Sequence, residues 1–128
     1  MSAVYVPIDK SGVQAASAYY KIGLRKADAI SVVSAAVLVE TNPGPRFSKV
    51  RIALGSVAPK PMRAFAAEQS LESNLFSAET IDMTGVLAAR GASPISDLRA
   101  SATYRRKMVE VIVSRLLRQV ASHLQAQE

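Results

Sequence analysis

The most regular pattern of apolar and polar positions lies in the last quarter of the chain. Apolar residues recur there at steps of three and four, the spacing of one face of an α-helix; they are Val109, Ile112, Val113, Leu116, Leu117, Val120 and Leu124. Ser101 is a suitable N-cap, because its hydroxyl can accept an unpaired amide of the first turn. We therefore predict a helix from about Ser101 to about Gln125, roughly 37 Å long at about 1.5 Å per residue.

A second pattern predicts two strands joined by a turn. Residues 29–40 read A-I-S-V-V-S-A-A-V-L-V-E, are rich in β-branched side chains and are apolar on both faces, so we expect a central strand covered on both sides. Residues 41–45 read T-N-P-G-P and form a turn. From 47 to 54, apolar residues alternate with Lys49 and Arg51, which predicts a strand with one partly solvated face. The two strands should pair as an antiparallel hairpin in the register that keeps both cations out of the core.

The first quarter of the chain is less regular. Residues 1–8 are extended by pattern and end near a proline, and residues 9–12, D-K-S-G, have the composition of a turn. Residues 13–27 contain alanines and tyrosines without a clear period. A short helix is one interpretation of this segment, but we predict a loop with little regular structure there.

Two shorter helices are expected between the hairpin and the last helix. Residues 62–71 have helical spacing, with Glu68 and Glu72 on a face that we interpret as solvated. Ser77 is a suitable N-cap for a further helix that runs through Arg90. The predicted fold class is therefore α+β: a small antiparallel β-sheet of about three strands, backed by a helical layer with the long C-terminal helix.

The composition excludes several kinds of site. The 128 residues fit one domain, 1–128, and 49% of them are hydrophobic, which is enough for a core. There is no cysteine, which excludes disulfides, thiolate zinc sites and iron–sulfur clusters bound by this chain. The one histidine, His123, is interpreted as a solvated helix residue, because zinc requires three or four ligands.

The charge is strongly positive, with 16 Lys and Arg against 10 Asp and Glu, a net charge of +6. Such an excess favours anionic partners, including nucleic acid. The basic residues are scattered over different predicted elements, however, and only Arg105, Arg106 and Lys107 form a run. We therefore prefer scattered, solvated charge over a nucleic-acid-binding surface.

Neither a targeting segment nor a membrane span is recognisable. The first residues lack the charged and apolar regions of a secretory signal, and no apolar run approaches the length of about 18 residues that a span needs. We predict a soluble, cytoplasmic protein that does not associate with membranes.

The residues by themselves suggest no complete active site. The glycines form neither a G-x-G-x-x-G motif nor a P-loop, and there is no G-x-S-x-G elbow. No catalytic residue or metal ligand can be assigned from spacing.

Three stretches nevertheless carry a recognisable signature. Residues 17–37 read S-A-Y-Y-K-I-G-L-R-K-A-D-A-I-S-V-V-S-A-A-V, and residues 50–64 read V-R-I-A-L-G-S-V-A-P-K-P-M-R-A. Residues 94–106 read P-I-S-D-L-R-A-S-A-T-Y-R-R. In this order they resemble the C-terminal domain of the FAD-binding (medium) subunit of the molybdenum hydroxylases, the group of the carbon monoxide dehydrogenase and xanthine dehydrogenase type enzymes.

The resemblance implies an α+β domain that closes over the isoalloxazine end of FAD. In the family, the lysine of a Y-x-K-x-x-x-R block lies near the flavin, and Lys21 matches it. The loop through Arg25 to Asp28 would border the ring. Ala29 stands where relatives carry a ring-packing side chain, so that contact would be smaller here.

The family's glycine-rich loops of the A-G-G-T and T-I-G-G-N type, which hold the FAD diphosphate, do not occur in these 128 residues. The resemblance therefore implies FAD only if a partner supplies the diphosphate-binding domain, in an oxidoreductase complex rather than an enzyme acting alone. The surface that faces the flavin domains in the family would be exposed. This predicts a flavin-domain partner subunit or a homo-oligomer.

Three hypotheses follow from the sequence. The leading one is a free-standing flavoprotein C-terminal domain that acts as a lid over FAD. The second is a homo-oligomeric binding or assembly module without a redox role. The third is nucleic-acid binding centred on the basic run at 105–107.

Overall fold

A computed structural model of the chain describes residues 3–4, 13–27, 29–42 and 47–126. Four strands are followed by three helices, and this confirms the predicted α+β class. The elements are β1 (Gln14–Gly23), β2 (Ser31–Thr41), β3 (Phe47–Gly55), β4 (Met62–Arg63), α1 (Phe65–Ser73), α2 (Ala78–Gly91) and α3 (Ala102–Gln125). None of these helices combines the length and the apolar character needed to cross a membrane.

The sheet is antiparallel throughout, in the order β1-β2-β3-β4. Val37 in the middle of β2 pairs with Ala18 on β1 and with Ile52 on β3, so these three side chains share one face. The predicted β2–β3 hairpin and its register are confirmed, because Val50, Ile52 and Leu54 of β3 are at most 1% exposed while Lys49 and Arg51 lie on the other face.

The loop predicted over residues 13–27 is wrong, because most of it forms β1. The segment has many alanines, which have low strand propensity, and its period is weak. Ten residues of β1 nevertheless pair with β2, and this long ladder outweighs the local preference. Within the described residues the sheet has four strands, where about three were predicted, and the extended segment predicted at 1–8 lies mostly outside these residues.

The central position predicted for β2 is confirmed, but only one of its two faces is fully buried along the strand. Val33, Ala35, Val37 and Val39 are buried, whereas Ser34, Ala36, Leu38 and Glu40 on the opposite face are half-buried. The helix α3 packs across β1 and β2, on the buried face. The second face also carries Val32, Ala36 and Leu38, which made the strand look apolar on both sides in the sequence.

The long helix α3 matches its prediction closely. Every residue of the predicted apolar stripe is buried, and the Ser101 hydroxyl accepts a hydrogen bond from the Tyr104 amide at 3.1 Å. Ser77 begins α2 with a reciprocal bond to Thr80, as a capping box does. The helix predicted over residues 62–71 starts later, at Phe65, because the two residues of β4 first pair with β3.

The helices α2 and α3 approach each other closely at Gly85. A Cβ on Gly85 would lie 2.3 Å from the Ser114 hydroxyl oxygen and 2.8 Å from the Glu110 carbonyl oxygen. Only a residue without a side chain therefore fits at this crossing.

The solvated interpretation of Glu68 and Glu72 is wrong. The Glu68 carboxylate accepts the Ile52 amide at 2.7 Å, and the Glu72 carboxylate accepts the Val50 amide at 2.6 Å. These amides lie on the edge of β3 beyond the short β4, so α1 closes this edge of the sheet with two carboxylates.

Glu68 is 3% exposed and is also bound by Arg63, through contacts of 2.6 and 2.5 Å. Burial acts to raise the pKa of Glu68, but the hydrogen bonds from Arg63 and from the Ile52 amide outweigh it and hold the pKa below its usual value. The carboxylate is therefore ionised and stabilises this edge at neutral pH.

Candidate functional site

The loop that follows β1 brings together three of the four residues implied by the resemblance. Lys21 lies near the end of β1, and its Nζ donates a hydrogen bond to the Ala29 carbonyl oxygen at 3.1 Å. Arg25 lies in the loop between them and lines a shallow pocket with Ala29. Asp28 lies outside the described residues. The lysine thus ties the far end of the loop back to the strand from which it leaves.

Gly23 allows this loop to turn tightly. A Cβ on Gly23 would lie 2.5 Å from the Ala29 Cβ, and the pairing of β1 with β2 shifts its register between Ile22 and Gly23. A larger side chain at Gly23 would therefore push Ala29 away and lengthen the Lys21 hydrogen bond.

The pocket has a volume of about 260 Å³ and combines apolar walls with guanidinium groups. Its lining residues are Leu24, Arg25, Ala29, Ile30 and Arg99. Leu24 is 69% exposed and Ile30 is 70% exposed, so the walls present bare apolar surface beside positive charge. Such a surface suits a flat, partly apolar ligand with anionic or carbonyl groups.

Arg99 joins the pocket to the segment before α3. Its guanidinium donates to the Ser31 carbonyl oxygen at 3.3 Å and to the Asp97 carboxylate at 3.1 and 2.7 Å. The second Asp97 oxygen accepts from Arg105 at 2.6 Å. The side chain of Arg99 foremost, together with its amide and Arg105, holds the pKa of Asp97 well below its usual range.

Arg105 is the buried anchor of this network. It is 2% exposed, and it also donates to the Ser56 carbonyl oxygen at 3.0 Å. Ser56 has a φ of 63°, so the arginine binds a turn in a left-handed conformation. Burial of Arg105 removes it from the basic run that the sequence suggested, and Lys107 pairs with Glu110 at 2.6 Å. Arg106 and Lys107 remain exposed, and the buried Arg105 does not contribute to a basic surface at this run.

Sequence reasoning missed Leu24, Ile30 and Arg99 as parts of this site. Arg99 belongs to the recognised P-I-S-D-L-R string, but it reaches Ser31 across 68 positions of the chain. Local spacing cannot reveal such a contact. The two apolar residues flank the predicted cationic loop. They could have been found only by considering which exposed residues the pairing of β1 with β2 places beside that loop.

Comparison with known proteins identifies the domain. The family model of the CO dehydrogenase flavoprotein C-terminal domain matches residues 18–120. The xanthine dehydrogenase FAD-binding subunit of Escherichia coli O157:H7 is 28% identical over 101 residues, which is 79% of this chain and 34% of that protein. The nicotine 6-hydroxylase medium subunit of Paenarthrobacter nicotinovorans is 31% identical over 93 residues, 73% of this chain and 32% of that protein.

A solved structure agrees with these sequence matches. The carbon monoxide dehydrogenase from Hydrogenophaga pseudoflava superposes with a TM-score of 0.81 at 32% identity, over 91% of this chain and 39% of that one. The chain thus spans about a third of the length of the curated relatives that it matches. On the family match, the sequence identity and the shared fold, the chain belongs to the CO dehydrogenase flavoprotein C-terminal domain family, the C-terminal domain of the molybdenum hydroxylase FAD subunit.

Proposed function

We propose that this chain acts as the flavin-facing lid of an FAD-containing oxidoreductase of the molybdenum hydroxylase type. The observation that carries the proposal is the loop held by Lys21, whose rim combines cations with exposed apolar side chains in a member of this family. FAD, when bound, supplies an acceptor for two electrons and passes them on. The relatives named as FAD-binding or medium subunits support the same assignment.

The residues present fit one edge of an isoalloxazine ring. Leu24 and Ile30 offer apolar surface that excludes water from a flat ring, and Arg25 and Arg99 supply positive charge beside it. The Lys21 ammonium has three donors, of which the Ala29 carbonyl accepts one. With these groups the loop would position the ring and favour negative charge on it.

The small volume of the pocket indicates that FAD binding would depend on a second binding element. Pockets that enclose drug-sized ligands have volumes of about 300 to 1,000 Å³. A pocket of about 260 Å³ takes only part of a dinucleotide. Because these 128 residues contain no glycine-rich diphosphate loop, the phosphates and the adenine would be held by a further flavin-binding segment.

A chimeric subunit tests the proposal. In it, this chain replaces the matching third of the Escherichia coli O157:H7 xanthine dehydrogenase FAD-binding subunit. We expect the chimera to retain FAD, and the isolated chain to show no saturable quenching of flavin fluorescence. Micromolar FAD binding by the isolated chain would contradict a lid that depends on a second element, and loss of FAD from the folded chimera would contradict the flavin-facing role.

Lys21→Met in the chimera then tests the site itself. Removal of this charge beside the ring is expected to lower the flavin reduction potential, because the reduced, more negative ring loses a neighbouring cation. Lys60→Met is the matched control, since Lys60 is an exposed lysine of the turn that follows β3. Equal potentials for the two variants would place the flavin away from Lys21.

A further inference from the structure

One exposed face of α2 has a symmetric pattern that the flavin-facing role does not use. The face consists of Glu79, Met83, Val86 and Arg90, which we call the α2 stripe. The steps between these residues are four, three and four, so all lie within one narrow arc of the helix. Met83 is 52% exposed, Val86 is half-buried, and both charged ends are exposed. None of the four residues belongs to the loop beside Lys21.

The stripe borders a groove of about 850 Å³ between α2 and α3. The α3 side of this groove includes Val111, Arg115 and Arg118, and Arg118 pairs with Asp82 of α2. The two helices cross closely at Gly85, beside Ser114, which also lines the groove. The stripe is therefore a preformed apolar surface with charged ends.

The charges at the two ends of the stripe have opposite sign and are available. Within the described part of the chain, neither Glu79 nor Arg90 makes an ion pair or a side-chain hydrogen bond. The helix dipole favours the negative Glu79 at the N-terminal end of α2 and the positive Arg90 at the C-terminal end, which accounts for their presence. It does not give either charge an ion-pair partner. The two residues are eleven positions apart, which is roughly 16 Å along the helix.

The spacing of four, three and four residues along the stripe is the same when it is counted from either end. An antiparallel copy of α2 therefore places Glu79 opposite Arg90 of the second copy, and Met83 opposite Val86 of the second copy. Every contact then occurs twice about a two-fold axis, which is the property of an isologous interface. We propose that a second copy of this chain packs antiparallel on the α2 stripe, with two Glu79–Arg90 pairs at the ends and Met83 and Val86 in the centre.

Self-complementarity is what selects a second copy over another occupant. An unrelated partner would need its own complementary arrangement of charges. A second copy of the stripe already has one, because its ends carry opposite charges and its spacing is the same in both directions. A contact made by one helix and its groove is at the small end of specific interfaces. We therefore expect reversible dimerisation with a dissociation constant in the micromolar range.

Sedimentation velocity over about 5 to 500 μM protein measures this association. Glu79→Arg and Arg90→Glu each place like charges opposite each other, and we expect each to weaken the association constant about tenfold or more. The double variant Glu79→Arg/Arg90→Glu restores both pairs with reversed sign and should recover wild-type association. Lys60→Glu is the control for Arg90→Glu, because it makes the same charge change at an exposed residue that is not part of the stripe.

Three outcomes overturn the proposal. A wild-type chain that stays monomeric throughout this range has no such interface. Dimers that survive both single reversals use another surface. If the double variant is folded, as checked by circular dichroism, but does not recover wild-type association, the antiparallel register is contradicted.

The absence of cysteine in the chain provides a second, independent readout of the register. A mixture of the Met83→Cys and Val86→Cys variants should form a disulfide-linked heterodimer faster than either variant alone forms a homodimer. Equal rates in the mixture and in the separate variants would refute the pairing of Met83 with Val86.

Discussion

Replacing Glu68 by alanine tests whether its buried carboxylate holds the edge of the sheet. The carboxylate accepts the Ile52 amide at 2.7 Å and two bonds from Arg63, and the residue is 3% exposed. Glu68→Ala removes all three bonds at once. It leaves the Ile52 amide without a partner at a place where α1 hinders access of water.

The expected cost follows from these contacts. A buried donor left without an acceptor costs about 1 to 3 kcal/mol. The Arg63 side chain is 37% exposed, so water can solvate it again and the lost ion pair adds about 1 kcal/mol or less. We expect Glu68→Ala to lower the free energy of unfolding by about 3 kcal/mol, and Glu68→Gln, which keeps an acceptor for the amide, by about 1 kcal/mol.

Urea unfolding followed by circular dichroism gives these free energies by linear extrapolation. Glu72→Ala is the matched control, because the Glu72 side chain accepts the Val50 amide but is 33% exposed, and its loss should cost about 1 kcal/mol. The argument fails if Glu68→Ala costs no more than Glu72→Ala. It also fails if the glutamine variant is as unstable as the alanine variant.

Three further predictions concern packing and charge. Gly85→Val should lower the free energy of unfolding by about 1 to 3 kcal/mol, measured by urea unfolding, because its side chain would collide with Ser114; full wild-type stability would contradict the close crossing. Asp97→Asn, which leaves the buried Arg105 without its anionic partner, should lower the urea midpoint more than Asp82→Asn at an exposed pair. The folded pKa of Glu68 lies below its unfolded value, so its contribution is complete above about pH 4.3 and disappears as pH falls through the folded pKa. The stability difference between wild type and Glu68→Gln should therefore narrow in acid, and a constant difference would contradict this.

The elements predicted correctly are those whose information is local. The helix α3 has a continuous apolar stripe and a serine cap, and both signals lie within the segment itself. The β2–β3 hairpin was similarly evident from alternation and a proline-containing turn. For β1, the local signal was weak and the strand forms because β2 offers a pairing edge, which the sequence of β1 does not encode.

The residues of the candidate site likewise fall into a local group, which the sequence predicted, and a distant residue, which it did not. Lys21, Arg25 and Ala29 lie within nine positions of one another and came from one recognised block, and the structure places them around one loop. Arg99 is distant from these residues in the sequence and is held at the site by its hydrogen bonds to Asp97 and Ser31. Contacts of this kind depend on the packing of α3 against the sheet and are not visible in spacing. Their roles toward FAD stay predictions.

The carboxylates of α1 also bear on how the chain folds. The contacts from Glu68 to Ile52 and from Glu72 to Val50 span only 16 and 22 positions. Such short loops close at low entropic cost, and contacts of low sequence separation form early. We therefore expect β3 and α1 to assemble as a unit before the long C-terminal helix is in place. A nascent chain would then shield this strand edge from intermolecular pairing while the rest of the core is still incomplete.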